Sequence, residues 1–162
     1  MISQGCTQGV EDIPKPKYRI VIDPDRCRGC GLCELVCSML HEGEAKPSAS
    51  RIKVRKDREN YRFEPLVCLH CTTPKCMLVC PAGAIVVEGR IGARIIIEEL
   101  CTGCGLCVKA CPLASHNAVI FQHPSKRTYV KCDLCYWREE GPACVEVCPT
   151  QAITLSKVGT CR

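Results

Sequence analysis

Sixteen of the eighteen cysteines in this 162-residue chain lie in four short groups, and this feature constrains the fold more than any other. In each group a fourth cysteine follows the third after four positions. Groups one and three have the spacing C-x2-C-x2-C-x3-C, whereas the middle gap holds four residues in group two and eight in group four. The groups are Cys27, Cys30, Cys33 and Cys37; Cys68, Cys71, Cys76 and Cys80; Cys101, Cys104, Cys107 and Cys111; and Cys132, Cys135, Cys144 and Cys148.

This spacing is typical of loops that hold cubane iron–sulfur clusters. Three closely spaced cysteines let a loop curl so that three thiolates reach three irons, while the fourth cysteine reaches a neighbouring cluster. Gly29, Gly31, Gly103 and Gly105 lie inside two of the loops, where glycine permits backbone angles that side chains disfavour. We expect each fourth cysteine at the start of a short helix. The sequence predicts four [4Fe–4S] clusters held by sixteen thiolates.

Zinc and disulfides are the alternatives to iron. A zinc ribbon uses two C-x2-C pairs separated by a dozen or more residues, which does not match four crowded groups. The first twenty residues contain no basic segment followed by an apolar one, so they do not resemble a secretory signal. We therefore expect a cytoplasmic protein with reduced, metal-binding thiols and no insertion into the membrane.

The net charge of +5 counts every cysteine as neutral. Four oxidised clusters with their thiolates bring the balance to roughly −3. No basic patch interleaved with aromatic residues is present, so nucleic acid is not an expected partner.

Short β-rich runs separate the groups. We predict strands at 18–23, 50–54, 61–67, 84–88, 93–99, 118–122, 128–132 and 152–156, and short helices after Cys33, Pro74, Cys107 and Pro142. The segment 38–60 is a polar insertion that we expect to cover a cluster or to meet another subunit. The predicted organisation is an N-terminal arm at 1–17, one four-cluster domain at 18–156 and a C-terminal tail at 157–162.

No catalytic motif accompanies the cysteines. The chain has neither a dinucleotide G-x-G-x-x-G motif nor a phosphate-binding G-x4-G-K-[ST] motif, and every predicted cluster has four thiolate ligands. A chain composed mainly of redox centres without a substrate site is expected to transfer electrons rather than to act as an enzyme.

Over residues 18–156 the chain resembles four-cluster ferredoxin-like electron-transfer subunits of redox complexes. The resemblance implies an α+β fold with two tandem bacterial-ferredoxin-like modules of short strands and short helices. More narrowly, "CELVCSMLHEGEAKPSASRIKV" (33–54), "CLHC" and "VKCDLC" resemble the small iron–sulfur subunit that accompanies tungsten aldehyde ferredoxin oxidoreductases and benzoyl-CoA reductases. Ser38, which replaces the proline that follows the fourth cysteine of the other groups, fits this subgroup.

The resemblance also implies which cysteines share a cluster. Groups one and four exchange their fourth cysteines in one module, and groups two and three do so in the other. The implied ligand sets are Cys27, Cys30, Cys33 and Cys148 (cluster 1); Cys68, Cys71, Cys76 and Cys111 (cluster 2); Cys101, Cys104, Cys107 and Cys80 (cluster 3); and Cys132, Cys135, Cys144 and Cys37 (cluster 4). From the spacing alone, sequential pairing of groups one with two and three with four stays open.

The expected partner is a large catalytic oxidoreductase subunit, of the tungsten- or molybdenum-dependent aldehyde oxidoreductase type. The electron acceptor is then a flavoprotein subunit, a ferredoxin or another copy of the chain. Formate dehydrogenase, hydrogenase and carbon monoxide dehydrogenase complexes are alternative partners, and a redox sensor or a filament scaffold is an alternative of another class.

Several residues outside the ligand sets have open roles. Cys6 and Cys161 are expected to be free thiols, and His41, His116 and His123 to be ordinary structural residues. His70, inside the second loop, either tunes a cluster or lies at the surface. Lys131 and Lys75 lie beside cysteines and either raise a cluster potential or, as we favour, are solvated.

Overall fold

The computed structural model describes residues 13–113 and 119–159. Eight strands and four helices follow one another, with three-residue 3₁₀ helices at Pro24–Arg26, Pro47–Ala49 and Glu98–Leu100. The strands are β1 (Tyr18–Ile22), β2 (Lys53–Asp57), β3 (Arg62–Leu66), β4 (Ile85–Val87), β5 (Arg94–Ile96), β6 (Ile120–Gln122), β7 (Tyr129–Lys131) and β8 (Ile153–Lys157). The helices are α1 (Leu32–Glu42), α2 (Lys75–Leu78), α3 (Leu106–Ala110) and α4 (Ala143–Glu146).

The same unit occurs four times: strand, cysteine loop, helix, strand. This confirms the predicted order of elements and the α+β character of the chain. The strand predicted at 50–54 begins only at Lys53, because Ser50 and Ile52 form a local turn in which Ser50 Oγ donates to Ile52 O at 2.6 Å. Helix α1 is the longest helix because it continues to Glu42 in the 38–60 insertion.

The third cysteine of every group occupies the second position of its helix. These residues are Cys33, Cys76, Cys107 and Cys144. The fourth cysteine follows one turn later. It lies within α1 or just past the end of α2, α3 or α4, so the expected position at the start of a helix is wrong. Residues four apart share one face of a helix. In α1, Cys33 and Cys37 therefore lie on the same face of the helix.

Strand pairing joins the two ends of the described chain. β1 pairs antiparallel with β8, and Tyr18 lies opposite Lys157. The other sheets are local antiparallel hairpins, β2 with β3, β4 with β5 and β6 with β7. A two-stranded sheet is marginal by itself, so these hairpins depend on what they pack against.

The helices pack in nested pairs. α1 contacts α4, and α2 contacts α3. α4 also packs on β8, and β5 of the central part contacts β7. The nested helix contacts and the β1–β8 pair bring the first unit to the fourth and the second unit to the third.

The chain next to both predicted boundaries is packed on the body. Pro16 is buried, and Lys17 N donates to Ile91 O at 2.8 Å. Val158 N donates to Lys17 O at 2.9 Å. The domain bounds stay a prediction, and Cys6, His116 and Cys161 lie outside the described residues.

Candidate metal centres

All four cysteine loops turn through the left-handed region at the residue before their second cysteine. These residues are Gly29 (φ 66°), His70 (φ 48°), Gly103 (φ 73°) and Leu134 (φ 59°). A residue with a side chain costs about 1–2 kcal/mol in this conformation. Loops one and three have glycine at this position and avoid the cost. Loops two and four adopt the same turn with a histidine and a leucine, so their backbone is strained there.

Backbone N–H groups point at cysteine sulfurs. The four bonds run from Arg51 N to Cys37 Sγ at 3.3 Å, and from His70 N to Cys68 Sγ, Tyr129 N to Cys101 Sγ and Leu134 N to Cys132 Sγ at 3.4 Å each. Hydrogen bonds of this kind favour the thiolate. Because Arg51 belongs to the 38–60 insertion, that segment lies directly against Cys37.

Three cavities are each lined by four cysteines, three from one group and a fourth from another. We name them site 2, site 3 and site 4 after the group that supplies three cysteines. Site 2 is lined by Cys68, Cys71, Cys76 and Cys111, site 3 by Cys101, Cys104, Cys107 and Cys80, and site 4 by Cys132, Cys135, Cys144 and Cys37.

The remaining fourth cysteine, Cys148, lies between α4 and β8. Burial opposes its ionisation, but hydrogen bonds from backbone N–H groups at the start of β8 lower the pKa of Cys148. Asp23 N donates to Ala152 O at 2.8 Å, which holds the start of β8 against the segment that leads into loop one. We use the name site 1 for the predicted set of Cys148 and the first three cysteines of loop one.

Burial makes several of these thiols weak acids. Together with nearby negative groups, it raises the pKa of Cys33 to about 12 and those of Cys76, Cys107 and Cys135 to about 11. None of the sixteen cysteines in the described residues forms a disulfide. Thiols that resist ionisation in isolation gain their charge most readily by binding a metal, which stabilises the thiolate. The residues therefore fit clusters that coordinate four sulfurs each.

The sites differ in exposure. Cys30 in site 1 and Cys104 in site 3 are exposed, whereas all four cysteines of site 4 are buried and site 2 contains the buried Cys68. Helix α1 carries cysteines of both site 1 and site 4. Cys132 of site 4 and Cys68 of site 2 lie close enough for their thiolates to repel, and contacts between α2 and α3 join site 2 to site 3. These contacts link site 1 with site 4, site 4 with site 2, and site 2 with site 3.

A charged network lies beside site 4. Asp133 is buried and accepts hydrogen bonds from Arg51 Nη1 at 3.0 Å and from His41 Nε2 at 3.1 Å. Although burial opposes both ionisations, the contact with Asp133 raises the pKa of His41 to about 10, and His41 and Arg51 lower the pKa of Asp133 to about 2. Sequence reasoning missed this network. Its one local signal is the acidic residue between two cysteines in "CDLC".

Site 2 has a different polar lining. His70 is fully buried, and its Nδ1 accepts a hydrogen bond from Arg94 N at 3.0 Å. Lys131 is also buried, so the expectation that it is solvated is wrong, while Lys75 is exposed as expected. Lys131 lies on β7, which packs against β5, and this long-range contact covers its side chain. Arg94, which sequence reasoning missed, is the one charged residue in the otherwise apolar run "ARIII".

The family of the chain follows from its cysteine-rich region. The family described as 4Fe-4S dicluster domain matches residues 59–158, which include three of the four cysteine groups. The chain belongs to this family. The description 4Fe-4S binding domain matches residues 18–39, which contain the first group. This dicluster-family protein therefore binds multiple [4Fe–4S] clusters.

Relatives of this dicluster-family protein carry names of electron-transfer components. It is 41% identical over 129 residues to the aliphatic sulfonate oxidoreductase, polyferredoxin-like subunit of Pyrococcus furiosus, covering 80% of this chain and 70% of that protein. It is 37% identical over 147 residues to the putative electron transport protein YsaA of Escherichia coli, covering 86% of this chain and 89% of that protein. The chain is an iron–sulfur electron-transfer protein related to subunits of oxidoreductases.

Solved structures share its fold. A chain of the active site complex BamBC of benzoyl coenzyme A reductase with benzoyl-CoA is similar, with a TM-score of 0.51 and 27% identity, covering 88% of this chain and 83% of that one. No helix in the described parts of the chain is both long and apolar enough to span a bilayer.

Proposed function

We propose that this protein is the electron-relay subunit of an oxidoreductase complex, with one [4Fe–4S] cluster at each of sites 1 to 4. The clusters would supply one-electron chemistry, and the protein would hold them in the order site 1, site 4, site 2, site 3. The observation that carries the proposal is the lining of three cavities by three cysteines of one group and a fourth from its nested partner.

The arrangement suits a relay with two ends. The exposed Cys30 and Cys104 lie at opposite ends of the order of sites, where partners can approach. Site 4, whose four cysteines are all buried, is shielded by α1 and by the 38–60 insertion. Exclusion of water from this site keeps electrons on the path between the ends.

The proposed electron donor is a large catalytic subunit of the tungsten- or molybdenum-dependent aldehyde oxidoreductase type. The similarity to a chain of the BamBC active site complex and to a polyferredoxin-like oxidoreductase subunit supports this assignment. A hydrogenase is the second candidate, because the chain is 32% identical over 169 residues to hydrogenase-4 component A of Escherichia coli. The acceptor is proposed to be a flavoprotein subunit, a ferredoxin or a second copy of the chain.

The ligand sets can be tested by counting iron in paired variants. In our scheme Cys27 and Cys148 serve the same site, so the double variant C27S/C148S loses one cluster, about four of sixteen irons. The matched variant C27S/C37S removes one ligand from site 1 and one from site 4, so it loses two clusters, about eight of sixteen irons. If the two losses are equal, or if the second is the smaller, the nested sets are wrong.

The partner is tested by affinity purification of the tagged holoprotein without oxygen, followed by metal analysis. A stoichiometric large subunit with tungsten or molybdenum supports the first candidate, whereas nickel supports a hydrogenase. Isolation of the chain without any large subunit would contradict the relay function.

A further inference from the structure

Two buried cations flank site 2 without a carboxylate partner. Arg94 and Lys131 are each 1% exposed. Neither forms an ion pair with an acidic side chain among the described residues, and their hydrogen bonds go to backbone carbonyls. A buried charge without a counter-charge is strongly disfavoured. The buried charges of Arg94 and Lys131 therefore favour the binding of a negatively charged group at site 2.

The cations lie within electrostatic range of the site 2 cysteines. Lys131 Nζ donates to Cys132 O at 2.9 Å and to Arg94 O, so the ammonium lies between β7 and β5. Arg94 lines the site 2 cavity together with its four cysteines, and Lys131 contacts Arg94 through the carbonyl oxygen of that residue.

His70 adds a hydrogen-bond donor to the same wall. Its Nδ1 accepts from Arg94 N, so a neutral ring carries its proton on Nε2. Nε2 is buried and has no partner, and the residue lines site 2.

The backbone supports a specific role for this side chain. His70 adopts φ 48° where the corresponding residues of loops one and three are glycine. Retaining a histidine there costs conformational strain that glycine avoids. A buried donor in the lining of site 2 is a physical reason to retain the histidine.

Among the residues that the structure describes, Arg94 and Lys131 are the only lysine or arginine residues that are buried. At site 4 the carboxylate of Asp133 is placed between His41 and Arg51. At site 1, Lys56 is paired with the carboxylate of Glu34 at 3.6 Å. At site 3, Gly103 occupies the position that His70 has in loop two.

We propose that Arg94, Lys131 and the Nε2–H of His70 make site 2 the most easily reduced of the four sites. The inference rests on the proposed function, because it requires a cluster at each site. Reduction adds one electron and no proton, and the two fixed cations stabilise the added negative charge. An electron that enters from either exposed end then moves toward the interior, and site 2 acts as a store from which the acceptor draws.

The test is a mediated redox titration of the holoprotein, followed by electron paramagnetic resonance. In wild type one cluster is reduced before the others, and the site 2 variant C68S/C111S loses that early component. Lys131→Met lowers the reduction equilibrium constant of the early component at least tenfold, which for one electron is about 59 mV. Lys75→Met is the matched control, because Lys75 is exposed beside Cys76, and it changes the constant less than threefold.

A second variant keeps the proposal testable if Lys131→Met does not fold. His70→Gly introduces the residue that loops one and three already use, so the turn is retained, and the lost hydrogen bond lowers the constant about two- to tenfold. Equal effects of Lys131→Met and Lys75→Met, an unchanged His70→Gly titration, or an early component that survives C68S/C111S would overturn the inference. A wild-type iron content well below sixteen per chain would contradict the proposed function itself.

Discussion

The substitution Gly103→Ala tests how tightly the third cysteine loop packs. Gly103 has φ +73°, and a Cβ added there lies 2.3 Å from the carbonyl oxygen of Arg127. The contact is with backbone, so no side chain can rotate away. The β6–β7 hairpin, whose Tyr129 N donates to Cys101 Sγ, must shift to admit the methyl group.

Gly43 provides a matched control. Its φ is +74°, and a Cβ there meets nothing within 4 Å. Both alanine variants carry the left-handed strain of about 1–2 kcal/mol. Only Gly103→Ala adds the overlap with Arg127, for which overpacking costs of about 1–3 kcal/mol are typical. We therefore expect destabilisation by about 1–2 kcal/mol for Gly43→Ala and about 2–5 kcal/mol for Gly103→Ala.

The assay is thermal unfolding of the loaded protein without oxygen, together with iron analysis. In a chain of this size each kcal/mol changes the apparent Tm by about 2–4 °C. Gly103→Ala is also expected to lose the site 3 cluster, about four irons per chain, while Gly43→Ala retains all of its iron. If the two variants have the same Tm and iron content, the Arg127 carbonyl does not pack against this loop.

Three further predictions concern the network at site 4 and the role of iron in the fold. Asp133→Asn leaves the buried His41 without a counter-charge and leaves Arg51 with Glu98 as its remaining acidic partner, so it should cost about 3 kcal/mol or more by thermal unfolding. Glu64→Gln, which removes one partner of an exposed pair, should cost less than about 1 kcal/mol, and equal losses would contradict the network. The pKa of His41 in the folded protein is raised to about 10, so protonated His41 stabilises the fold fully below about pH 6.5 and this contribution declines as the pH rises through 10. Wild type should therefore lose more stability than His41→Gln between about pH 7 and 10, and parallel stability profiles would refute this. Chelation of the iron should abolish the far-ultraviolet circular dichroism of the fold, since four two-stranded sheets and three helices of four or five residues are marginally stable without the clusters. A chain that retains its spectrum after complete iron loss would show that the protein core alone is sufficient to maintain the fold.

The features that depend on local spacing could be predicted from the sequence. Cysteine spacing indicated four loops, each followed by a helix, and the β-rich runs indicated the strands, because these elements depend on residues that are near each other in the chain. The turn at His70 and Leu134 could not be found in this way, since its usual marker, glycine, is absent from both positions.

Burial and charge pairing were not accessible to the same reasoning. Lys131 stands in a sequence that suits a solvated lysine, and only the packing of β7 on β5 covers it. Asp133 lies 92 residues from His41 and 82 from Arg51, so no local pattern connects them. Long-range contacts determine which charges surround each site, and with them its electrostatics.

The antiparallel pairing of Tyr18–Ile22 with Ile153–Lys157 bears on how the molecule is made. During synthesis on the ribosome, the central two units emerge complete while β1 still lacks β8, which is translated after them. Maturation of such a chain is expected to run from the middle outward, with the loop that follows β1 capped only after β8 has emerged. A cell that produces this protein therefore needs to protect the thiols of that loop until β8 pairs with β1.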